Sequence, residues 1–142
     1  MGYWIIALPR EDMEHCIEIG TYGMNRKGPL GKVQVGDGVV CYVTRERKII
    51  ALGEVTEPYY LDDAKVFKKS GVFPDRIGFK ARRFSPSREF DFIQIIDRLE
   101  LITNIAYWSV YLRTGFVEIS KKDWDFIQGQ TKDLSIRSTD TY

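Results

Sequence analysis

From Gly31 to Glu57 the chain reads GKVQVGDGVVCYVTRERKIIALGEVTE. Two apolar runs, Val39 to Val43 and Ile49 to Val55, are split by the charged Thr44-Arg45-Glu46-Arg47-Lys48. β-Branched and aromatic residues on either side of a short polar loop predict a β-hairpin. Both runs are apolar at nearly every position, which suits strands covered on both faces. The hairpin is therefore expected at the core of a small barrel.

The rest of the chain arranges itself around it. Tyr3 to Leu8 predicts an opening strand, ended by Pro9, which has no N–H for a ladder. Glu11 to Ile19 predicts a helix, with acids in the first turn where the macrodipole favours them and Gly20 as its stop. Thr21 to Leu30, TYGMNRKGPL, has Gly and Pro punctuation and no period, so it predicts a loop; Tyr22 either folds back on the core or faces a ligand. Glu57-Pro58 should end the second hairpin strand, and Leu61 to Phe67 suggests a helical turn. Lys65, Lys68 and Lys69 gather around Phe67, a basic and aromatic mixture that either grips a single nucleic-acid strand or is a solvated face. Arg76 to Phe84 predicts a third barrel strand, with Ile77, Phe79 and Ala81 inward and Arg76, Gly78, Lys80 and Arg82 on its polar face. Phe92, Ile95, Ile96 and Leu99 have helical spacing within Phe90 to Leu101. Tyr107 to Leu112 and Phe116 to Ile119 predict two more strands joined by Arg113-Thr114-Gly115. Ser120 caps a last helix docked by Trp124 and Ile127. These boundaries give one domain over residues 1–128 and a polar, disordered tail over 129–142.

Composition narrows the function more than the fold. Lys plus Arg number 21 against 20 for Asp plus Glu, so wholesale electrostatic capture of nucleic acid is not indicated, although a local patch remains open. Cys16 and Cys41 lie in apolar stretches and read as buried reduced thiols, which with the lack of a leader or spanning segment implies a cytoplasmic protein without membrane contact. His15 is the only histidine, and its neighbour Cys16 points about 100° away on a helix, so they form no nucleophile–base pair. No metal spacing, phosphate loop or nucleophile elbow is present. The expectation is no catalytic residues, no metal and no cofactor. What the chain over-supplies is rings, 13% of residues, several at strand ends or in loops: Tyr22, Tyr59, Tyr60, Phe67, Phe73 and Trp108. A barrel mouth with a few such rings and some amides or hydroxyls would hold a flat heterocycle.

The segments YWIIAL, YGMNRKGPLGKVQVGDGVVCYVTR, GEVTEPYY and WSVYLRTGFVEISKKDWDFI, in this order, resemble the EVE domain of the PUA-like superfamily, a relative of the YTH domain. The resemblance implies an α+β fold, a PUA-like mixed β-barrel of five or six strands flanked by short helices, and a binding role rather than catalysis. EVE domains are linked to modified bases in DNA, such as methylated or hydroxymethylated cytosine, and YTH domains read 6-methyladenine in RNA through an aromatic cage. Where that pattern has a Trp followed by a small residue, this chain has Tyr22-Gly23; where a polar residue often follows the first strand, it has Pro9. Thr44 matches a small hydroxyl residue, Met24, Asn25 and Arg26 fall in the loop bordering the pocket, and Tyr60, Phe67 or Trp108 would offer further wall. Arg26, Lys27, Arg45, Arg47, Lys65, Lys68 and Lys69 would take the nucleic-acid backbone. The implied partner is DNA or RNA carrying a modified base; a general RNA-binding module and an enzyme acting on a nucleotide or small heterocycle are the alternatives.

Overall fold

A computed structural model describes residues 1–136, with side chains described as far as Thr131. Nine elements follow one another: β1 (Tyr3–Leu8), α1 (Arg10–Ile19), β2 (Thr21–Met24), β3 (Gly38–Val43), β4 (Lys48–Leu61), β5 (Asp75–Arg83), β6 (Phe90–Asp91), β7 (Phe116–Ile119) and α2 (Lys121–Ile136), with 3-10 turns between them. The sheet runs β2-β5-β4-β3-β1-β7, with β6 beside the start of β4. β1 and β3 are parallel, a pairing that needs a long crossover, and α1 with β2 supplies it. The sheet curls until its two edge strands face each other. There the Tyr22 ring of β2 stacks on Phe116 of β7 at 5.5 Å, and the Tyr22 hydroxyl donates to the Gly115 carbonyl at 3.2 Å.

The all-apolar reading of the hairpin holds for a physical reason. All six residues of β3 are buried because both faces of the sheet are covered. On the inner face Trp4, Ile6, Val39, Cys41, Ile77 and Phe79 pack with Met13 and Cys16 of α1. On the outer face Ile5, Val40, Ile49 and Leu52 pack under Phe92, Ile95, Ile96, Leu99 and Ile127. Each large side chain so buried contributes roughly 1.5–3 kcal/mol of transfer free energy. α1 ends as its sequence requires, with Gly20 at φ 70°, a left-handed position where a Cβ is unfavourable.

Several expectations are corrected. Tyr22 to Met24 is a strand, paired with Asp75 to Ile77 of β5, so the Gly and Pro punctuation marks only the 3-10 turn that follows. β4 passes through Pro58 to Leu61, its register shifting between Val55 and Glu57 and between Glu57 and Tyr60; Pro58 falls in the irregular part, where no ladder N–H is needed. Residues 62–67 form no helical turn. Arg76 is not on a polar face but 1% exposed. Between Phe92 and Arg98 the apolar positions ride on two short 3-10 turns rather than one α-helix, and Ile105–Leu112 is 3-10 helix kinked at Tyr107, not a strand. Ser120 does cap α2, its hydroxyl accepting from Asp123 N at 3.1 Å. Residues 129–136 of the expected tail are helical; 137–142 lie outside the described residues.

Candidate nucleic-acid interface

β1 and β3 end side by side, Leu8 opposite Val43, and the chain then turns through Thr44 to Arg47. This turn, the Ile105–Leu112 segment and the Arg113 to Gly115 turn enclose a cavity of about 420 Å³, lined by Ala7, Tyr42, Thr44, Arg45, Arg47, Trp108, Ser109, Leu112, Arg113 and Gly115. The volume falls within the range of roughly 300–1,000 Å³ usual for small-ligand sites. Trp108 is half-buried, its ring tilted 45° against Phe92 at 5.9 Å, so the wall is pre-set by the outer core. Thr44 and Ser109 bring hydroxyls with no hydrogen-bond partner among the described residues. Arg45 and Arg113 are exposed at the rim, and Arg47 stands 3.7 Å from Asp91. Burial pushes the Tyr42 hydroxyl up to about 12, leaving it a proton donor at neutral pH. The site therefore offers a ring, donors, and cations at its lip.

The turn that carries two of those cations is strained and clamped. Arg45 and Arg47 sit at φ 68° and 59°, left-handed positions that cost of order 1–3 kcal/mol for a side chain with a Cβ. Between them, Glu46 takes a forked ion pair from Arg10 of α1, with bonds of 2.8–3.1 Å. Arg10 also holds Glu89, whose side chain is 3% exposed, at 2.6 Å, and Glu89 and Glu14 both reach Arg83. Arg10 is thus a positioning residue for Arg45 and Arg47. The Arg10 guanidinium holds the Glu46 carboxyl below its ordinary range. A depressed folded pKa gives stability that is present above the unfolded value and lost as pH falls through the folded one. Melting temperatures from pH 6 down to pH 3 should therefore fall less steeply for Glu46→Gln than for the parent chain; parallel curves would remove the clamp.

The other expected residues form a separate cluster. Tyr22 is 4% exposed and lies beneath the cavity floor at Gly115 rather than in the opening. Gly23 is covered by Phe67: a Cβ there would come within 2.7 Å of the Phe67 ring. Phe73 meets Phe67 edge-on at 5.9 Å, and the Arg76 guanidinium lies 5.0 Å over the Phe67 ring. Arg76 donates to the carbonyls of Val72 at 2.9 Å and Phe73 at 3.1 Å, and to that of Ala64. Lys69 sits over Phe73 at 5.2 Å and Lys27 over Tyr59 at 5.0 Å. Met24 packs on the inner core, Tyr60 is half-buried beside Arg76 in the β4–β5 ladder, and Asn25, Arg26, Lys65 and Lys68 are exposed. One mouth was expected; Thr44, Arg45, Arg47 and Trp108 meet at the cavity, while Gly23 and Phe67 close on each other. Arg113 and Ser109 escaped the sequence reading because their segment passes for a strand and turn, whose polar residues need no special role.

This architecture has relatives. The sequence model of the EVE domain matches residues 3–130. The UPF0310 protein PH1033 of Pyrococcus horikoshii is 28% identical, covering 90% of this chain and 97% of its own length. Among solved structures, a hypothetical protein from Leishmania major superposes with a TM-score of 0.67 at 13% identity, over 95% of this chain and 97% of its own. Human THYN1, solved in complex with DNA containing 5-methylcytosine, gives 0.55 at 11% identity over 89% and 95%. The Mmi1 YTH domain gives 0.61 at 9% identity over 96% and 78%. At such identities the structures speak for the fold, which is PUA-like. The family rests on the sequence match across nearly the whole chain: this protein belongs to the EVE domain family.

Proposed function

We propose that the chain is a nucleic-acid reader, a binding module rather than an enzyme, that takes one methylated or hydroxymethylated base into the cavity at the ends of β1 and β3. The observation that carries this is the meeting of Trp108 with the Thr44 and Ser109 hydroxyls under a rim of Arg45, Arg47 and Arg113. Membership of the EVE family and the likeness to THYN1, solved with 5-methylcytosine DNA, support it. Taking a base out of its stack costs a few kcal/mol. Stacking of roughly 1–3 kcal/mol on Trp108, with arginines on the flanking phosphates, offsets that. A methyl group adds apolar contact with Ala7 and Leu112, while the hydroxyls meet the polar base edge. Burial pushes the thiols of Cys16 and Cys41 up, which disfavours the thiolate that nucleophilic chemistry needs.

The test is titration of oligonucleotides with and without methylated cytosine or adenine, as DNA and RNA, at two salt concentrations. Trp108→Ala should weaken binding of the preferred strand about 5- to 150-fold, the equivalent of roughly 1–3 kcal/mol, while Phe67→Ala leaves it within a factor of two. The reverse pattern would move the base site to the Gly23–Phe67 cluster. The exposed Lys65 and Lys68 favour a second reading, a general RNA-binding module. That reading requires steep salt dependence and equal affinity for modified and unmodified strands.

A further inference from the structure

A larger cavity, about 660 Å³, opens on the same outer face of the sheet at the other end of β1. Tyr3 and Ala7 share that face, so the two openings lie about 13 Å apart along the strand. Its floor is a register row across four strands: Tyr3 beside Gly38, Gly38 beside Glu54, Glu54 beside Lys80. The next row ends in Leu52 beside Arg82. Gly38 is buried beneath the Trp124 and Tyr3 rings, where a Cβ would come within 2.9 Å of each, so the absence of a side chain lets the two rings settle on the sheet. Trp124 and Tyr3 stack at 5.3 Å, making an aromatic wall at the β1 side. The cations stand at the β5 side, up to three strand spacings or about 14 Å away.

The charges within the cavity are unequal. Lys80 is balanced by Glu54 at 3.4 Å, whereas Arg82 has no acidic partner among the described residues. Glu54 screens Lys80 and disfavours a second anion, so one anionic group beside Arg82 is what the site suits. Gln128 brings an amide that both donates and accepts and whose side chain has no partner among the described residues. A ring wall, an edge-reading amide and one unpaired arginine across Leu52 and Glu54 describe the two ends of a nucleotide. We infer that this cavity is a second site, for a nucleoside monophosphate unit, either free or as one nucleotide of a longer strand. The inference stands apart from the reading of the first cavity, since the two share no residue.

The indoles separate the sites. Trp108 lines the first cavity and Trp124 the second, while Trp4 is buried with its N–H on Asp37 and serves as control. Titration with adenosine monophosphate, followed by the indole N–H resonances, should move Trp124 and leave Trp4 fixed, with adenosine or inorganic phosphate alone at least tenfold weaker. Arg82→Ala should weaken the monophosphate tenfold or more without altering the melting temperature. If only an oligonucleotide moves Trp124, and Arg82→Ala abolishes that shift, the source is a strand. Trp124 unmoved by both ligands, or affinity unchanged in Arg82→Ala, overturns the inference. Trp108 unmoved by oligonucleotides overturns the first cavity instead.

Discussion

Replacing Arg76 by Met should destabilise the domain by about 3–5 kcal/mol, the usual result of breaking a buried charged network from one side. Its side chain is 2% exposed and donates to three carbonyls of the β4–β5 connection, those of Ala64, Val72 and Phe73. Met fills much of the same volume but donates nothing. The carbonyls then either stay buried without a donor or leave for water, taking the connection with them. Phe73 makes the second outcome the easier one. It sits at φ 49°, a strained conformation that the bond from Arg76 helps to hold. The variant should thus melt about 10 °C or more below the parent and be cut by protease between residues 62 and 74. Arg76→Lys should recover only part of the loss, because an ammonium lacks the planar fork that meets three acceptors. Equal melting and equal protease resistance in Arg76→Met would show that the connection is held without Arg76, by Phe67 packing, the His15 contact with the Val66 carbonyl and the Asp62–Pro74 backbone bond.

The second large effect is at Asp37. This carboxylate is 1% exposed and accepts from Gly2 N at 2.8 Å, from the Trp4 indole at 2.9 Å and from Gln34 N at 2.9 Å. It ties the start of β1 to the turn before β3. Asp37→Asn keeps the shape but turns an amide NH2 toward donors. With the amide oxygen at the Oδ2 position the bonds from Trp4 and Gln34 survive as neutral contacts, and Gly2 N is left facing the NH2 without an acceptor. Roughly 2–4 kcal/mol of stability should be lost in denaturant titrations, with Trp4 fluorescence reporting a looser strand end. A loss below about 1 kcal/mol would mean that water replaces the carboxylate at no cost.

How far the sequence spoke for the structure depended on what else each pattern could mean. Strands covered on both faces have one signature, unbroken apolar runs, and β1, β3 and the first half of β4 were legible from it. α1 and α2 were legible from their stops and caps, Gly20 and Ser120. Phe92, Ile95, Ile96 and Leu99 were correctly read as buried, yet their spacing satisfies 3-10 turns as well as an α-helix. The run Tyr107 to Leu112 has strand-like residues, yet it lies as 3-10 helix against the outer core, with Trp108, Tyr111 and Leu112 packed there, although the neighbouring β7 pairs only with β1; that choice rests on long-range packing, which local sequence does not carry. The same holds for the candidate site. Trp108 could be singled out as a ring at an element end and Thr44 only through the family resemblance, whereas Tyr22 against Phe116, and Phe67 on Gly23, are long-range pairings that residue type alone cannot choose. Arg76 was misread because a charged residue on an alternating strand nearly always faces water.

The position of β1 in the sheet governs when this chain can fold. β1 precedes β7 by more than a hundred residues yet lies between β3 and β7, so Tyr3 to Ile6 must wait for Phe116 to Ile119 to complete their ladder. Loop-closure entropy over more than a hundred residues opposes that step. Until it happens, a strand apolar on both faces has an open edge, the kind of surface that nascent chains lose to aggregation. Synthesis therefore delivers β1 to β5 well before the strand that completes β1, and folding on the ribosome is limited by the arrival of β7 rather than by the central hairpin.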